Sequence, residues 1–512
     1  MHYHLTNMKK TAKNFLFALM LSPVLAFGQH HEAPGPVDNS FLSRDFWSGK
    51  PSLQELKAEV AEGNDPIELN SSSFNGTVYA ILNDQPLENI KYLVSLDGNG
   101  VNLLTHDGRT YIHWAAMKGD LELIKYLIDQ GAKTDIVDDH GYSVMNFAAN
   151  AGQSNPELYD YLLSHGSSLE ETNHHGANAL LLIVGSQEDF TMIDYFTSKG
   201  VDMSTTDEDG NGLFYYAAKT GNIKMMDLLI EKGVSYKAPN KIGGNAMIAA
   251  SQGTRRGSND LSVFKYLEDK GIEPNVTTAD GTTPLHALAG RSKDIGLLNY
   301  FMDKGVDVNQ ADGEGNTPLM NASGRNDLAV IQLLVEKTDD INAQNQQGRS
   351  ALTNAVAGNT PEVVEYLLQK GAEAGVEDNA GNTLAYYLFQ SYSPRFKEGF
   401  QKKKDLLVAE GVDLKAPQAG GNTLFHLAVE ENDLELIKMV HGWGFDVNQA
   451  NDLGTTPLQT AAMKAKDESI LKYLLAEGAD SKVVTDFDET VYDLASENEV
   501  LSKNNVNINF LK

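Results

Sequence analysis

Apolar residues along this chain recur at helical spacing in short blocks that are separated by polar turns. In LELIKYLIDQGA, residues 121–132, the apolar positions fall on one face of an α-helix, and Gly131 ends the block. Such blocks alternate with shorter ones that contain paired small residues, for example Ala115 and Ala116. The pattern predicts pairs of short helices, with small side chains where neighbouring helices approach closely.

A turn residue, usually glycine, recurs at intervals of 33 to 40 residues along most of the chain. The turn positions are Asn75, Gly108, Gly141, Gly176, Gly210, Gly243, Gly281, Gly315, Gly348, Gly381, Gly421 and Gly454, and a truncated copy begins at Asp488. In several copies a Thr-Pro pair follows, which places a hydroxyl at a helix N-cap and proline at the first helical position. A period of this length predicts an all-α repeat solenoid.

The copies resemble the ankyrin repeat family. Its core motif reads TTPLHALA from Thr282, and related forms are TYIHWAA from Thr110, TLFHLAV from Thr423 and TTPLQTAA from Thr455. The resemblance covers about residues 75–495 and implies about twelve full repeats, each a helix pair with a hairpin-like loop. The copy from Gly176 lacks the histidine, and the copies from Gly243 and Gly381 are lengthened by insertions.

The predicted organisation has five parts. They are a signal peptide (1–28), a flexible lead-in (29–51), an N-terminal cap helix (52–74), the ankyrin repeat array (75–487) and a degenerate C-terminal capping repeat (488–512). The signal peptide rests on a basic start after Met8, an apolar run, and Ala26 and Gly28 at the positions before a cleavage site. We therefore expect an exported bacterial protein, periplasmic or secreted, whichever of Met1 and Met8 is the start.

The net charge and the cysteine content limit the functions that this protein can have. The net charge is −29, with 70 acidic and 41 basic residues, and such a field repels nucleic acid and anionic lipid. The chain has no cysteine, which excludes disulfides, thiol catalysis and cysteine-based zinc sites. We expect a monomer without cofactor or membrane insertion whose partner is another protein, with a basic surface.

Histidine and threonine recur together in the core motif, as Thr110 with His113, Thr283 with His286, and Thr423 with His426. A catalytic histidine is not expected to repeat with a structural period. The family resemblance assigns this position to hydrogen bonds that join neighbouring loops. Trp114 is expected to pack in the core; the alternative is an aromatic strip that reaches a binding surface, made of Trp114, Phe147, Leu182 and Tyr216.

The candidate partner-binding residues lie where the repeats differ, because a rigid scaffold leaves its loops free for binding. The resemblance implies a non-enzymatic protein-binding scaffold, here in the bacterial cell envelope, that uses its loop tips and its concave face. The positions that the resemblance assigns to binding are the loop tips and the exposed end of the first helix. They are His106, Asp107, Arg109, Met117, Lys118, Asp139, His140, Tyr142, His174, His175, Asp209 and Asn211. The alternative for the acidic tips is a solvated surface that keeps the protein soluble.

Two groups of residues suggest metal sites; the alternatives are exposed polar loop residues for the first and a flexible tail of no function for the second. His106, His140, His174 and His175 fall on three consecutive tips, although no ligand set of proper spacing is evident. Cleavage after Gly28 would expose Gln29, whose amine could bind Cu(II) together with His31.

The sequence contains no recognisable set of catalytic residues, neither a paired acid and base nor an activated nucleophile, so an enzyme is not expected. The alternative function is a metal-handling or stress-protective accessory to an exported redox enzyme, since the resemblance includes some exported bacterial proteins that are associated with peroxide defence.

Overall fold

The computed structural model describes residues 39–255 and 257–512, and all regular structure in these ranges is helical. No β-strand forms there; isolated bridges join Thr254 to Gly257 and Glu377 to Thr383. The predicted all-α repeat is therefore confirmed. The predicted signal peptide and the Gln29–His31 copper site lie outside the described residues.

The helices are short, between five and thirteen residues. In chain order they are α1 (Arg44–Ser48), α2 (Leu53–Ala61), α3 (Gly76–Leu82), α4 (Leu87–Val94), α5 (Tyr111–Lys118), α6 (Leu121–Asp129), α7 (Val144–Asn150), α8 (Pro156–Ser164), α9 (Ala179–Val184), α10 (Thr191–Ser198), α11 (Leu213–Thr220), α12 (Ile223–Glu231), α13 (Ala246–Gln252), α14 (Leu261–Asp269), α15 (Pro284–Ala289), α16 (Ile295–Asp303), α17 (Pro318–Ser323), α18 (Leu328–Val335), α19 (Ala351–Gly358), α20 (Pro361–Gln369), α21 (Leu384–Gln390), α22 (Lys397–Ala409), α23 (Leu424–Glu430), α24 (Leu434–His441), α25 (Pro457–Lys464), α26 (Ser469–Ala476), α27 (Val491–Glu497) and α28 (Glu499–Lys503). Odd-numbered helices from α3 onward open the repeats, and even-numbered helices complete them.

Packing divides the chain into two compact units. Of the described residues, one unit comprises 39–148 together with Ser164–Ser167, and the other comprises Ala149–Leu163 and those from Ser168 to Lys512. In the first unit α3 packs on α5, and α2 packs on α4. In the second unit successive opening helices stack on one another from α9 to α27. Each unit is thus built from consecutive helix pairs.

Local sequence sets where each helix begins and ends. Thr456 caps α25, and Pro457 occupies its first turn, where a missing N–H costs no hydrogen bond. Asp120 caps α6 through a 3.0 Å bond from the backbone N–H of Leu123. Gly119 ends α5 in the left-handed conformation, with φ of 72°. Leu123 and its apolar neighbours on α6 are fully buried.

The turn residues named from the sequence adopt positive φ in every copy from Gly108 to Gly454, and Asp488 does the same at 60°. The first copy differs. Asn75 has φ of −122° and caps α3, and the turn lies at Ser73, with φ of 59°. The backbone N–H of His106 donates to the carbonyl of Ser73 at 2.9 Å, which holds this turn without a glycine.

The described part of the predicted lead-in is folded rather than flexible. Residues 39–49 contain a 3₁₀ turn, Ser40–Leu42, and helix α1. Phe41 and Trp47 are fully buried, and Trp47 Nε1 donates to the carbonyl of Phe41 at 2.7 Å. These aromatic side chains extend the N-terminal cap, because they add buried apolar surface to the single buried side chain of α2, Leu56.

The two predicted insertions differ in structure. The first, after α13, is an irregular loop. The second, after α21, forms a 3₁₀ turn at Pro394–Phe396 and then the thirteen-residue helix α22. In the described ranges, none of the helices has both the length and the apolar character needed to cross a bilayer.

Candidate functional site

In eight repeats, the loop that precedes the opening helix is held by an Asp or Asn side chain three residues before the turn glycine. One oxygen of that side chain accepts two backbone N–H groups from the loop, at distances from 2.7 to 3.2 Å. The residues that do this are Asp138, Asn173, Asp207, Asn240, Asp312, Asn345, Asp378 and Asn451. This Asx turn fixes the backbone of each tip.

Backbone hydrogen bonds also join consecutive tips within each unit. The N–H of a tip residue donates to the carbonyl of the tip before it, at 2.7 to 3.0 Å. The pairs are Asp139 to Asp107, Glu208 to His175, Lys241 to Asp209, Ala279 to Ile242, Gln346 to Glu314, Asn379 to Gln347 and Asp452 to Gly420. The tips therefore form ladders of fixed backbone from which the remaining side chains project.

Several predicted partner-binding residues present their side chains to solvent. Asp139, His140, His174, His175 and Asp209 are exposed. Their role in binding a partner stays a prediction.

Other predicted binding residues lie deeper. Tyr142 and Met117 are half-buried, and Lys118 pairs with Asp84 at 2.6 Å and donates to the carbonyl of Leu82 at 3.3 Å. Asn211 is buried, donates to Asp207 Oδ2 at 3.0 Å and accepts from Asn240 at 2.8 Å. It therefore belongs to the interior of the loop.

Arg109 also belongs to the interior, contrary to its expected place on the exposed tip. Its side chain is 8% exposed, and its Nε lies 2.9 Å from Oδ2 of Asp138, whose side chain is 0% exposed. The guanidinium lies between two aromatic rings, 5.3 Å from the centre of Trp114 and 4.5 Å from that of Phe147. Arginine suits this place because its planar cation stacks and pairs at the same time.

Asp107 links the exposed tip to this buried pair. Its Oδ2 lies 3.0 Å from Arg109, 3.5 Å from His106 Nε2 and 3.4 Å from His140 Nε2. His106 is fixed by its other nitrogen, 2.9 Å from the carbonyl of Ser72, and its ring stacks on Phe74. One carboxylate thus holds cationic or protonatable groups from two consecutive tips.

The same arrangement recurs in the second unit, which indicates a structural role for Arg109. Arg349 follows its turn glycine as Arg109 does, and its Nε donates to the hydroxyl of Tyr387 at 3.0 Å. That hydroxyl donates to Asp378 at 2.5 Å, and the guanidinium lies over the Tyr387 ring. Tyr387 and Asp378 occupy the repeat positions of Phe147 and Asp138.

Trp114 is 4% exposed, and its Nε1 donates to Thr105 Oγ1 at 2.9 Å. Its ring contacts Phe74 and, edge to face, Phe147. Phe147 is also buried, while Leu182 and Tyr216 are half-buried. Trp114 and Phe147 therefore pack around Arg109 and do not present an open aromatic surface.

The recurring histidines cap their helices. In His113, His286 and His426 the Nδ1 atom receives the backbone N–H of the preceding threonine at 3.3, 3.0 and 3.2 Å, and lies 2.8 to 3.0 Å from its hydroxyl. The Nε2 atoms of His286 and His426 lie 3.1 Å from carbonyls of the next repeat. Nε2 of His113 is buried without such a bond.

Burial sets the charge state of these rings. It lowers the pKa of His113 to about 4, against a smaller opposing effect of the Asp138 carboxylate, and it lowers the pKa of His286 and His426 as well. The rings are therefore neutral at pH 7, as a hydrogen-bonded cap requires.

The described ranges contain no group of three or more His, Asp or Glu side chains placed to hold a metal ion. The tip histidines do not form such a group there. The metal-handling alternative stays a prediction.

Sequence reasoning missed the Asx-turn residues, although a signal was present. An Asp or Asn three residues before the turn glycine recurs as regularly as the Thr-His pair, as Asp138, Asn173, Asp207 and Asn240 illustrate. A residue that recurs with the structural period is expected to have a structural role, and Asp and Asn at this position favour a cap or a turn.

Comparison with known proteins identifies the architecture. The family model for ankyrin repeats (3 copies) matches residues 77–173, 180–278, 246–345, 285–378, 326–392 and 401–506, which together span most of the chain.

Curated relatives share part of their length with this chain. A palmitoyltransferase AKR1 of Lachancea kluyveri is 26% identical over 48% of this chain and 33% of its own length. The nuclear factor NF-kappa-B p105 subunit of Gallus gallus is 23% identical over 38% of this chain and 16% of its own. The B-cell lymphoma 3 protein homolog of Mus musculus is 23% identical over 47% of this chain and 53% of its own. The chain thus spans between about one sixth and one half of these relatives.

Among solved structures, a chain from the complex of a predatory endopeptidase of Bdellovibrio bacteriovorus with an immunity protein is 28% identical. The match covers 36% of this chain and 96% of that chain, with a TM-score of 0.30. A TM-score this low carries no argument about function.

Proposed function

Because the chain belongs to the ankyrin repeat family, we propose that it is a non-enzymatic scaffold that binds another protein along its loop tips. Ankyrin repeats mediate binding between proteins. The observation that carries the proposal is the double restraint of tips such as those of Asp139 and Asp209, by an Asx turn within the loop and by backbone hydrogen bonds to a neighbouring loop. A surface ordered before binding loses little conformational entropy when a partner docks.

The chemistry of the partner follows from the side chains that these loops leave free. Asp139, Glu208 and Asp209 are exposed, and none of them forms an ion pair with a described residue. Their carboxylates add to a chain whose net charge is −29. A partner with a basic surface would pair with these groups and would be steered toward them.

The proposed location is the envelope of a bacterial cell, in the periplasm or outside it. The basic start, apolar run and small residues of positions 8–28 support export. Absence of cysteine is compatible with an oxidising compartment, since such a chain cannot form incorrect disulfides.

Photo-crosslinking in the producing cells tests the proposal. A photoreactive amino acid replaces His140 or Asp209, and a control replaces Asp129, which is exposed as the last residue of α6 and belongs to no tip. We expect the same partner to be captured from both tip positions, in the envelope fraction, and not from position 129. Absence of tip adducts, or equal capture at all positions, would contradict it.

A further inference from the structure

The insertion after α21 concentrates positive charge in a strongly acidic chain. Residues 395–404 include the basic residues Arg395, Lys397, Lys402, Lys403 and Lys404, and Glu398 is the acidic residue among them. Over these ten positions the sign of the charge is opposite to that of the whole chain, whose net charge is −29.

The fold holds this segment firmly in place. Phe400, Lys403 and Leu407 are the buried residues of α22, at the three- and four-residue spacing of one helix face. Lys403 Nζ donates to the carbonyl of Val356, near the end of α19, at 2.7 Å. Burial lowers the pKa of Lys403 to about 8. Since Lys403 anchors the inner face, the remaining cations are left on the outer part of the insertion.

Some surface lysines of the second unit are paired with carboxylates, and the outer cations of the insertion are not. Lys199 and Lys270 pair with carboxylates of the preceding repeat, at 2.7 and 2.8 Å. Arg395, Lys397 and Lys402 are exposed, and no carboxylate of a described residue lies within ion-pair distance of them. Beside them the Phe396 side chain is 66% exposed. The insertion therefore presents unpaired cations together with an aromatic ring.

A groove of about 790 Å³ lies between the start of α22 and α24. Its apolar floor is formed by Tyr392, Phe400 and Met439, with the rings of Tyr392 and Phe400 edge to face at 5.3 Å. Lys397 and Lys402 line it from α22. Lys438 lines it from α24 and pairs with Glu435 at 2.8 Å. The groove thus combines an apolar floor with a rim of three lysines and two glutamates, Glu398 and Glu435, and one of these glutamates is already paired with Lys438.

We propose that this insertion groove, defined by the floor and rim residues above, binds an extended acidic peptide segment of a partner protein. Carboxylates of the segment pair with Arg395, Lys397 and Lys402, and its apolar side chains contact the floor and Phe396. The inference goes beyond the tip-binding scaffold, because it assigns a ligand of opposite charge to a different surface.

Charge geometry favours a peptide over an anionic bilayer. The Debye length at physiological ionic strength is about 8 Å, so a narrow segment in the groove interacts mainly with the cations beside it. A flat bilayer would also approach exposed acidic residues of this region that do not line the groove, such as Asp405 and Glu410. Those carboxylates oppose an anionic surface.

Fluorescence anisotropy with the full chain tests the proposal. The probe is a labelled peptide of about twelve residues in which Glu and Phe alternate, and a second probe has Lys in place of Glu. The test variant is R395E/K397E/K402E. The control is K224E/K293E/K472E, which makes the same change in net charge at exposed lysines outside the insertion. Vesicles of phosphatidylglycerol and phosphatidylcholine form a separate arm.

We expect the acidic probe to bind the unmodified chain, and the test variant to bind it at least tenfold more weakly. The control should change affinity less than twofold, and F396S should weaken binding about threefold at unchanged circular dichroism. Three results would overturn the proposal: no binding of the acidic probe, equal loss in the control, or binding of vesicles without binding of the peptide. Substitutions in the loop tips should leave binding of the acidic probe unchanged. A negative result with the probe therefore contradicts the groove proposal and not the proposal that the tips bind a partner.

Discussion

Nε of Arg109 lies 2.9 Å from Oδ2 of Asp138, a residue 29 positions later, and both side chains are almost completely buried. The pair joins the loops of two consecutive repeats in the first unit. Asp138 uses its other oxygen to hold its own loop, through the N–H groups of His140 and Tyr142. The ion pair and the loop turn therefore share one carboxylate.

Replacing Arg109 by Ala should lower the free energy of unfolding by about 3–5 kcal/mol, because it leaves the Asp138 carboxylate buried without its cation. Arg349→Ala provides the control, since the hydroxyl of Tyr387 still donates to Asp378 there. Its expected cost is about 1 kcal/mol. Urea unfolding of each variant measures both values, and equal losses would argue against a special role for the Arg109–Asp138 pair.

Acid should destabilise the protein through its buried histidines. The pKa of His113 is lowered to about 4 from an ordinary 6.5, so the folded state favours the neutral ring. The associated stability is complete above pH 6.5 and is lost as the pH falls toward 4. At pH 5 the loss is about 2 kcal/mol for this residue.

The chain offers a matched replacement for that test. Gln459 takes the histidine position in its own repeat, and its Oε1 accepts the backbone N–H of Thr456 at 2.9 Å. His113→Gln should therefore keep the helix cap while removing part of the decline in stability between pH 7 and pH 5. Unfolding titrations at both pH values compare the slopes, and an unchanged slope would show that His113 does not carry it.

Neighbouring positions on one tip should differ in their effect on stability. Asn451 Oδ1 accepts the N–H groups of Leu453 and Thr455 at 3.0 Å each, whereas Asp452 is exposed. Asn451→Ala should cost about 1–2 kcal/mol through the lost bonds, and Asp452→Ala less than about 0.5 kcal/mol. Thermal unfolding measures the difference. Equal values would mean that the Asx turn does not restrain the tip.

Local rules explain what could be predicted from the sequence. Helix pairs, caps and turn glycines depend on residues within a few positions of each other, so the pattern around Gly119 or Pro457 suffices. The Thr–His cap was accessible for the same reason, since His113 contacts a residue three positions away.

Contacts between repeats could not be anticipated in this way. Arg109 looks like an exposed loop residue in the sequence, and only the stacking of repeats brings Asp138 and Phe147 against it. The burial of Phe41 and Trp47 likewise depends on how the N-terminal cap packs, and the segment reads as a linker because it is short and follows Pro34 and Pro36. At Ser73 a backbone bond from His106 supports the turn that glycine usually forms.

The central claim is that the exposed acidic tips bind a basic partner, and the affinity of the captured partner tests it most directly. The variant D139K/E208K/D209K changes exposed carboxylates and leaves the buried Asp138 and Asp207 in place. The control D129K/E122K/E157K makes the same charge change on second helices. Isothermal titration should show at least tenfold weaker binding for the tip variant, about 1.4 kcal/mol or more, and less than threefold for the control. Equal affinity of the tip variant and the unmodified chain would contradict the account.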